Sequence, residues 1–189
     1  MSGHGAGHVD PANKKIALLI SVLALFLALS ETFAKSAQTS ALSYNIEASN
    51  LWAFFQAKTI RMTTLRAAAD AADVDLKHEK NPAKAATLQK QIEGWRKAAA
   101  TYDSEPETKE GRKELAVRAK AAESNRVRAM ASYHYYELSS AALQIAIVLA
   151  SAQIITGVAA LVWISGGLGI VAVTLGMVGF LAPTAIHLF

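Results

Sequence analysis

Between residues 35 and 137 small and apolar side chains return every three or four positions, whereas on both sides of that stretch charge almost disappears. The closing quarter is the clearest case. From Leu138 onward there is no Lys, Arg, Asp or Glu, and the residues are mainly Leu, Ile, Val, Ala and Gly. Such a run holds about two membrane spans at roughly 20 residues each. Ser165-Gly-Gly167 reads as the break between them, which predicts transmembrane helices over 138–163 and 168–188. Near the amino end, Lys14 and Lys15 precede an apolar run from Ile16 to Leu29 that continues through Ala34. A basic flank and an apolar core suit a signal peptide. The length through Ala34 suits an uncleaved first span over 16–34, which is the reading adopted. Residues 1–15 are expected to form a flexible tail.

In the middle stretch the repeating positions are Ala37, Ala41, Tyr44, Ala48, Leu51, Phe55, Lys58, Met62, Leu65, Ala69, Ala72 and Leu76. Steps of four and three mark a heptad seam, with Lys58 out of character. The simplest element is one helix over 35–76, about 60 Å long. Asn81-Pro82 stops it, because the residue before proline avoids the helical region. A second helix over 83–102 carries Ala85, Leu88, Ile92, Trp95, Ala99 and Tyr102 on one face. Pro106, with Glu107 and Glu110 beside it, predicts a third helix over 107–137. Its seam runs from Leu115 through Ala119, Ala122, Arg126, Ala129, Tyr133 and Tyr136 into the second span. The expected fold is therefore an all-α integral membrane protein with three transmembrane helices. Between the first and second stands an extramembrane helical hairpin, or short three-helix coiled-coil bundle, over 35–137. The returning helices exceed the outgoing one by about ten residues, which predicts that the second and third overlap. Alanine seams bury little area at ~25 cal/mol per Å², so self-association into a homo-oligomer is expected.

Charge sharpens this picture. The net charge is +4, yet the middle stretch holds 17 of the 19 Lys and Arg together with 13 acidic residues. Mixed signs on helical faces do not make a nucleic-acid footprint, so no nucleic-acid partner is expected; membrane lipid is. There is no cysteine, which excludes disulfides and thiolate chemistry. No phosphate loop, nucleophile elbow or His-Glu-x-x-His occurs. His4 and His8 lie in the tail, His78 in a charged run, and His134 and His187 at expected membrane edges. No catalytic, cofactor or metal site is expected, and the chain is expected not to be an enzyme. Tyr133, Tyr135, Tyr136 and Trp163 suit interfacial belts. Glu31 sits near the end of its span, as an interfacial carboxylate or an intramembrane functional acid.

Two groups of residues are candidates for interaction. Trp52, Phe54, Phe55, Lys58 and Arg61 crowd one stretch of the first long helix. One seam cannot hold all its aromatics, so they are expected to meet another helix, another subunit or an unknown membrane-protein client. In the spans, Gln144, Gln153 and Thr156 are polar groups that bind helices together, at about 1–2 kcal/mol or less each. Gly169, Ala172, Gly176 and Gly179 give the last span a small-residue face for close packing, and self-association is expected through such transmembrane faces and the Ala-rich helical seams.

The run Glu47-Ala-Ser-Asn-Leu-Trp-Ala-Phe-Phe-Gln-Ala-Lys-Thr-Ile-Arg61, followed by Leu143-Gln-Ile-Ala-Ile-Val-Leu-Ala-Ser151, resembles the bacterial membrane proteins grouped as domain-of-unknown-function family 4337. The order of one span, a long helical segment and two closing spans is similar too. The resemblance implies architecture and a bacterial inner membrane; it carries no activity. Lys14 and Lys15 favour a cytoplasmic amino end with the helical arm periplasmic, while Arg126 and Arg128 argue the opposite. The expected role is a non-enzymatic scaffold or assembly protein. The alternatives are a proton-driven stator of the ExbB/TolQ type, whose layout is alike, and a membrane-anchored helical sensor.

Overall fold

The computed structural model describes residues 11–185, and in them the chain is all α. Four helices follow one another: α1 (Pro11–His78), α2 (Pro82–Asp103), α3 (Arg112–Thr156) and α4 (Ala160–Leu181). Stretches of α1 and α3, and the whole of α4, are long and apolar enough to cross a membrane. The expected tail is shorter than read, because α1 already begins at Pro11. Proline at a first helical position has its φ preset and no N–H to leave unsatisfied. Met1–Asp10, with His4 and His8, and Ile186–Phe189, with His187, lie outside the described residues.

The chain divides into two compact units. The first contains residues 11–41 and 127–185 of the described chain, that is, the apolar parts of α1 and α3 together with α4. Its core is Leu23, Leu143, Ala146 and Ala172, all buried, with Leu19, Leu27 and Ile147 against them. Its surface is as apolar as its interior: Ile155 is 86% exposed and Trp163 82%. Such a surface is stable only in hydrocarbon. Inside it, hydroxyls fasten the helices. Ser139 donates to the Ala172 carbonyl at 2.8 Å, and Ser165 to the Ala146 carbonyl at 2.8 Å. A serine has one proton to give, so in the 3.1 Å Ser30–Ser139 pair it is Ser30 that donates.

The break between the last two spans is not at Ser165–Gly167. It falls at Gly157–Ala159, and Ser165-Gly-Gly167 lies within α4. Gly157 takes a left-handed φ of 73° and returns its N–H to the Gln153 carbonyl at 2.8 Å. That is how helices commonly end, at a residue without a Cβ. Ser165, by contrast, is fully buried as a packing residue. The correction shortens the second span from 138–163 to 138–156, about 28 Å, which still matches a ~30 Å hydrocarbon core. The third runs over 160–181 rather than 168–188, and Trp163 belongs to its start.

The second unit contains residues 42–126. Here α1 is the spine. Its seam positions from Tyr44 to Leu76 are all buried or half-buried, Lys58 included. Ala69 and Ala72 pack with Ile92 of α2, joined by Leu76, Leu88 and Trp95. Ala48 and Leu51 pack with Leu115, Ala119 and Ala122 of α3, joined by Trp52 and Phe55. The two docking helices therefore follow one another along α1, and neither cluster holds residues of both. The expected overlap of α2 and α3 does not occur. The surplus residues form the 104–111 connection, and α3 starts at Arg112 rather than 107. The cause is Glu114, whose carboxylate folds back to accept from the Ser104 hydroxyl at 2.6 Å and the Glu105 N–H at 3.1 Å. A Cβ on Gly111 would collide with that carboxylate and the Ser104–Glu105 backbone. At the other end of α2, Asn81 is the N-cap, accepting from Ala83 N at 3.0 Å and Lys84 N at 3.4 Å, with Pro82 at the first position. The residue pair that stops α1 thus also starts α2.

Candidate functional site

Of the candidate residues on α1, four come together and one does not. Leu51, Phe55 and Lys58 lie on the seam at helical spacing, so they face the docking helices, while Trp52 and Phe54 flank them. The Trp52 indole N–H donates to Glu123 Oε1 of α3 at 2.8 Å. Its ring meets Phe55 edge-on, with centroids 5.3 Å apart and planes at 81°, an arrangement that aromatic quadrupoles favour. Lys58 is only 7% exposed. Its ammonium lies 3.6 Å from Glu105 Oε2 and 5.3 Å from the ring centroids of both Phe54 and Tyr102. A lysine can occupy a seam this way because its aliphatic stem packs like a hydrophobe while the charge is met at the tip. Arg61 is exposed and stands apart from this cluster.

Around this centre lies a set of charges that sequence reasoning missed, at the junction of α2 and α3. Arg112 gives Asp103 Oδ1 two bonds, from Nε at 3.1 Å and Nη2 at 2.7 Å, and its guanidinium lies 5.6 Å from the Phe55 ring centroid. Lys113 reaches the other oxygen of Asp103 at 2.8 Å. These cations, Lys113 first and then Arg112, hold the Asp103 carboxyl below the ordinary aspartate range. The Glu114 carboxyl is lowered as well, chiefly by the Ser104 hydroxyl and then the Glu105 N–H. The partners are nine or ten residues apart in sequence, too far for a capping pattern to reveal them.

Chemically the cluster is a clasp. Cations and anions alternate, with the aromatic rings between them. The nearest approach to a reactive group is Lys58, and both its carboxylate and its two rings come from the protein itself. Among the described residues no three His, Asp or Glu side chains group to hold a metal.

The candidates in the spans divide differently. Gly169, Ala172, Gly176 and Gly179 lie along α4, and the space beside the three glycines is bounded by α1 and α3 of the same chain. A Cβ on Gly169 would lie 2.7 Å from the end of Leu23, and one on Gly179 2.7 Å from Tyr135 Cβ; on Gly176 the nearest atom is Ser139 Oγ at 3.6 Å. Thr156 closes α3, donating to the Ala152 carbonyl at 2.9 Å and accepting from Val158 N at 3.4 Å. Gln153 Oε1 is buried and accepts no hydrogen bond. Gln144 is exposed, and its amide donates to Glu31 Oε1 at 3.3 Å. Glu31 is thus drawn to a side chain of the second span. Beside these, the first unit has a groove of about 450 Å³ lined by Phe26, Phe33, Ser139, Leu143, Met177 and Phe180 among others.

No curated protein and no solved structure matches the chain. A family does: residues 12–182 match the domain of unknown function DUF4337, and the chain belongs to that family.

Proposed function

We propose that this member of the DUF4337 family is a non-enzymatic membrane scaffold or assembly protein that self-associates, placed in a bacterial inner membrane with its amino end cytoplasmic. The observation that carries the reading is the clasp. Trp52, Phe55, Lys58 and Arg112, the groups most able to bind a ligand, each meet a side chain of another helix of the same chain, and Lys58 meets Glu105 of the connection as well. What the middle segment offers to its surroundings is then a shape: a long helix with two others paired to it in coiled-coil fashion. Light scattering on the full chain in detergent tests self-association. More than one 20.1 kDa chain per particle is expected, and a strict monomer at every concentration overturns it. For orientation, cysteines placed at Ser2 and Ser104 in this cysteine-free chain are probed on intact cells with an impermeant thiol reagent. Labelling at Ser104 alone is expected, and labelling at Ser2 alone reverses the assignment.

One observation favours a second reading, the proton-driven stator. Glu31 is a carboxylate within an apolar helix, paired to an amide of the next span, and intramembrane acids often mark ion paths. Proton flux in liposomes that falls on Glu31→Gln supports it, and flux that does not change removes it.

A further inference from the structure

The outer face of α1 in the second unit differs from every other outward face of that unit. With the seam as reference, the positions pointing directly away recur every seven residues: Ile46, Ala53, Ile60, Ala67 and Val74, all exposed. Leu42 precedes them by one turn. Leu42, Ile46 and Ile60 are 60%, 52% and 65% exposed. The other outward positions between residues 42 and 67 are Ala, Ser, Thr, Asn or Gln, so the outward third of this helix carries no charge over about 39 Å. Glu47, Arg61 and Arg66 stand on its flanks. The outward third of α2 carries Lys90, Glu93 and Lys97, and that of α3 carries Lys120 and Arg128 beside the exposed Val117 and Val127, so neither is free of charge. A solvated helix is expected to be charged opposite its buried stripe. Single exposed apolar residues mean nothing, but a strict seven-residue apolar row is the pattern of a helix contact.

We propose that this face of α1 is the contact through which two copies of the chain associate. The inference rests on the self-association proposed above and names its surface. Charge selects the occupant. An anionic headgroup surface would be met by Lys and Arg, and this face has none. The charged outward rows of α2 and α3 would be desolvated against it without partners. A second copy brings the same charge-free row. Near a two-fold axis residues meet their own counterparts, so Ile46 and Ala53 face their equals and no like charges are opposed. Area sets the strength. A strip ~39 Å long and ~10 Å wide buries roughly 400 Å² per partner, about half of the ~800 Å² of a standard interface. The contact is therefore weak in dilute solution and is made effective by anchoring both copies in one bilayer, which raises their effective concentration.

The chain has no cysteine, so single replacements report cleanly. Ile46→Cys, Ala53→Cys and Ile60→Cys in the full chain, oxidised in native membranes, are expected to give covalent dimers, while Lys90→Cys and Lys120→Cys stay monomeric. Adding Ala53→Glu to Ile46→Cys, at an exposed position that cannot disturb the core, is expected to lower the yield of covalent dimer in native membranes, and adding Lys90→Glu to leave it unchanged. If the chain is multimeric but the outward row neither cross-links nor responds to Ala53→Glu, this surface is wrong while the scaffold reading stands. A chain that is monomeric in detergent and forms no covalent dimer from any of these positions in native membranes overturns both.

Discussion

Replacing Lys58 tests whether the clasp is held by its buried charge or in spite of it. The ammonium is nearly excluded from water, and removing an ammonium from water costs several kcal/mol even after relaxation. Against this stand three contacts. The Glu105 partner is 3.6 Å away on a side chain 30% exposed, which places the pair near the ~0.2–1 kcal/mol of solvated ion pairs. The two ring contacts contribute about 0.5–1 kcal/mol each, up to ~2 where desolvated. The favourable sum, ~1–5 kcal/mol, does not clearly exceed the penalty. Lys58→Met keeps the length and supplies the apolar side chain that a seam position favours. It is therefore expected to be neutral or to stabilise by about 1 kcal/mol, which for a chain of this size raises Tm by ~2–4 °C. Glu105→Gln does the reverse, leaving the ammonium to the rings alone. Its cost falls between the exposed and fully buried limits, ~1–2 kcal/mol, or a fall of roughly 2–8 °C. In the double variant the Glu105 change should lose its effect. Thermal unfolding of the full chain in detergent, followed by far-UV circular dichroism, reads all three. A large drop for Lys58→Met with no change for Glu105→Gln would refute the reasoning, because the lysine would then be a net stabiliser through its rings. A lysine that adds little stability in an otherwise apolar seam is suited to fixing register.

Other expectations follow from single contacts. Gly179→Ala puts a Cβ against Tyr135 Cβ, an atom next to the backbone, and is expected to destabilise by ~1–3 kcal/mol. Gly169→Ala meets only the flexible end of Leu23, and Gly176→Ala meets nothing closer than 3.6 Å, so the order of Tm values should be Gly176→Ala, Gly169→Ala, then Gly179→Ala as the lowest. Acid should loosen the α2–α3 junction. Asp103 and Glu114 both have lowered folded-state values, so their contribution is complete above their ordinary values near 4 and lost as pH falls through the folded ones. Amide exchange at residues 103–115 should be flat from pH 8 to 5, after correction for intrinsic rates, and rise below about 4; Asp103→Asn should weaken that rise. Gln153→Met removes a buried oxygen that accepts no hydrogen bond, and is expected to raise Tm by a few degrees, about 1 kcal/mol.

Much of this was legible in the sequence, for reasons that particular residues make plain. The α1 seam was readable because Ala48, Leu51, Met62, Ala69 and Ala72 repeat at the period of a helix contact, and burial follows that period. Asn81-Pro82 was readable because its effect is local. Lys58 could be seen as an exception, but not its partners, since Glu105 and Tyr102 reach it only through the fold. At two places tertiary contacts override local turn chemistry. Pro106 looks like a helix start, yet the Glu114 carboxylate holds the Ser104 hydroxyl and the Glu105 N–H, and α3 begins only at Arg112. Ser165-Gly-Gly167 looked like a turn, yet in apolar spans such residues serve close packing, and Ser165 does so. The actual turn at Gly157 is marked by one glycine just after the polar Gln153 and Thr156, a weaker signal. The hydrogen bonds of the Ser30, Ser139 and Ser165 hydroxyls have no one-dimensional signature at all.

The central feature of the middle segment is α1 as a spine to which α2 and α3 dock in succession. Spin labels on the full chain, at Arg66 with Lys97 and at Asn50 with Arg118, measure both dockings by dipolar spectroscopy. A narrow short distance is expected for each pair, consistent with helix axes ~8–10 Å apart. A broad or long distribution for either pair would contradict it.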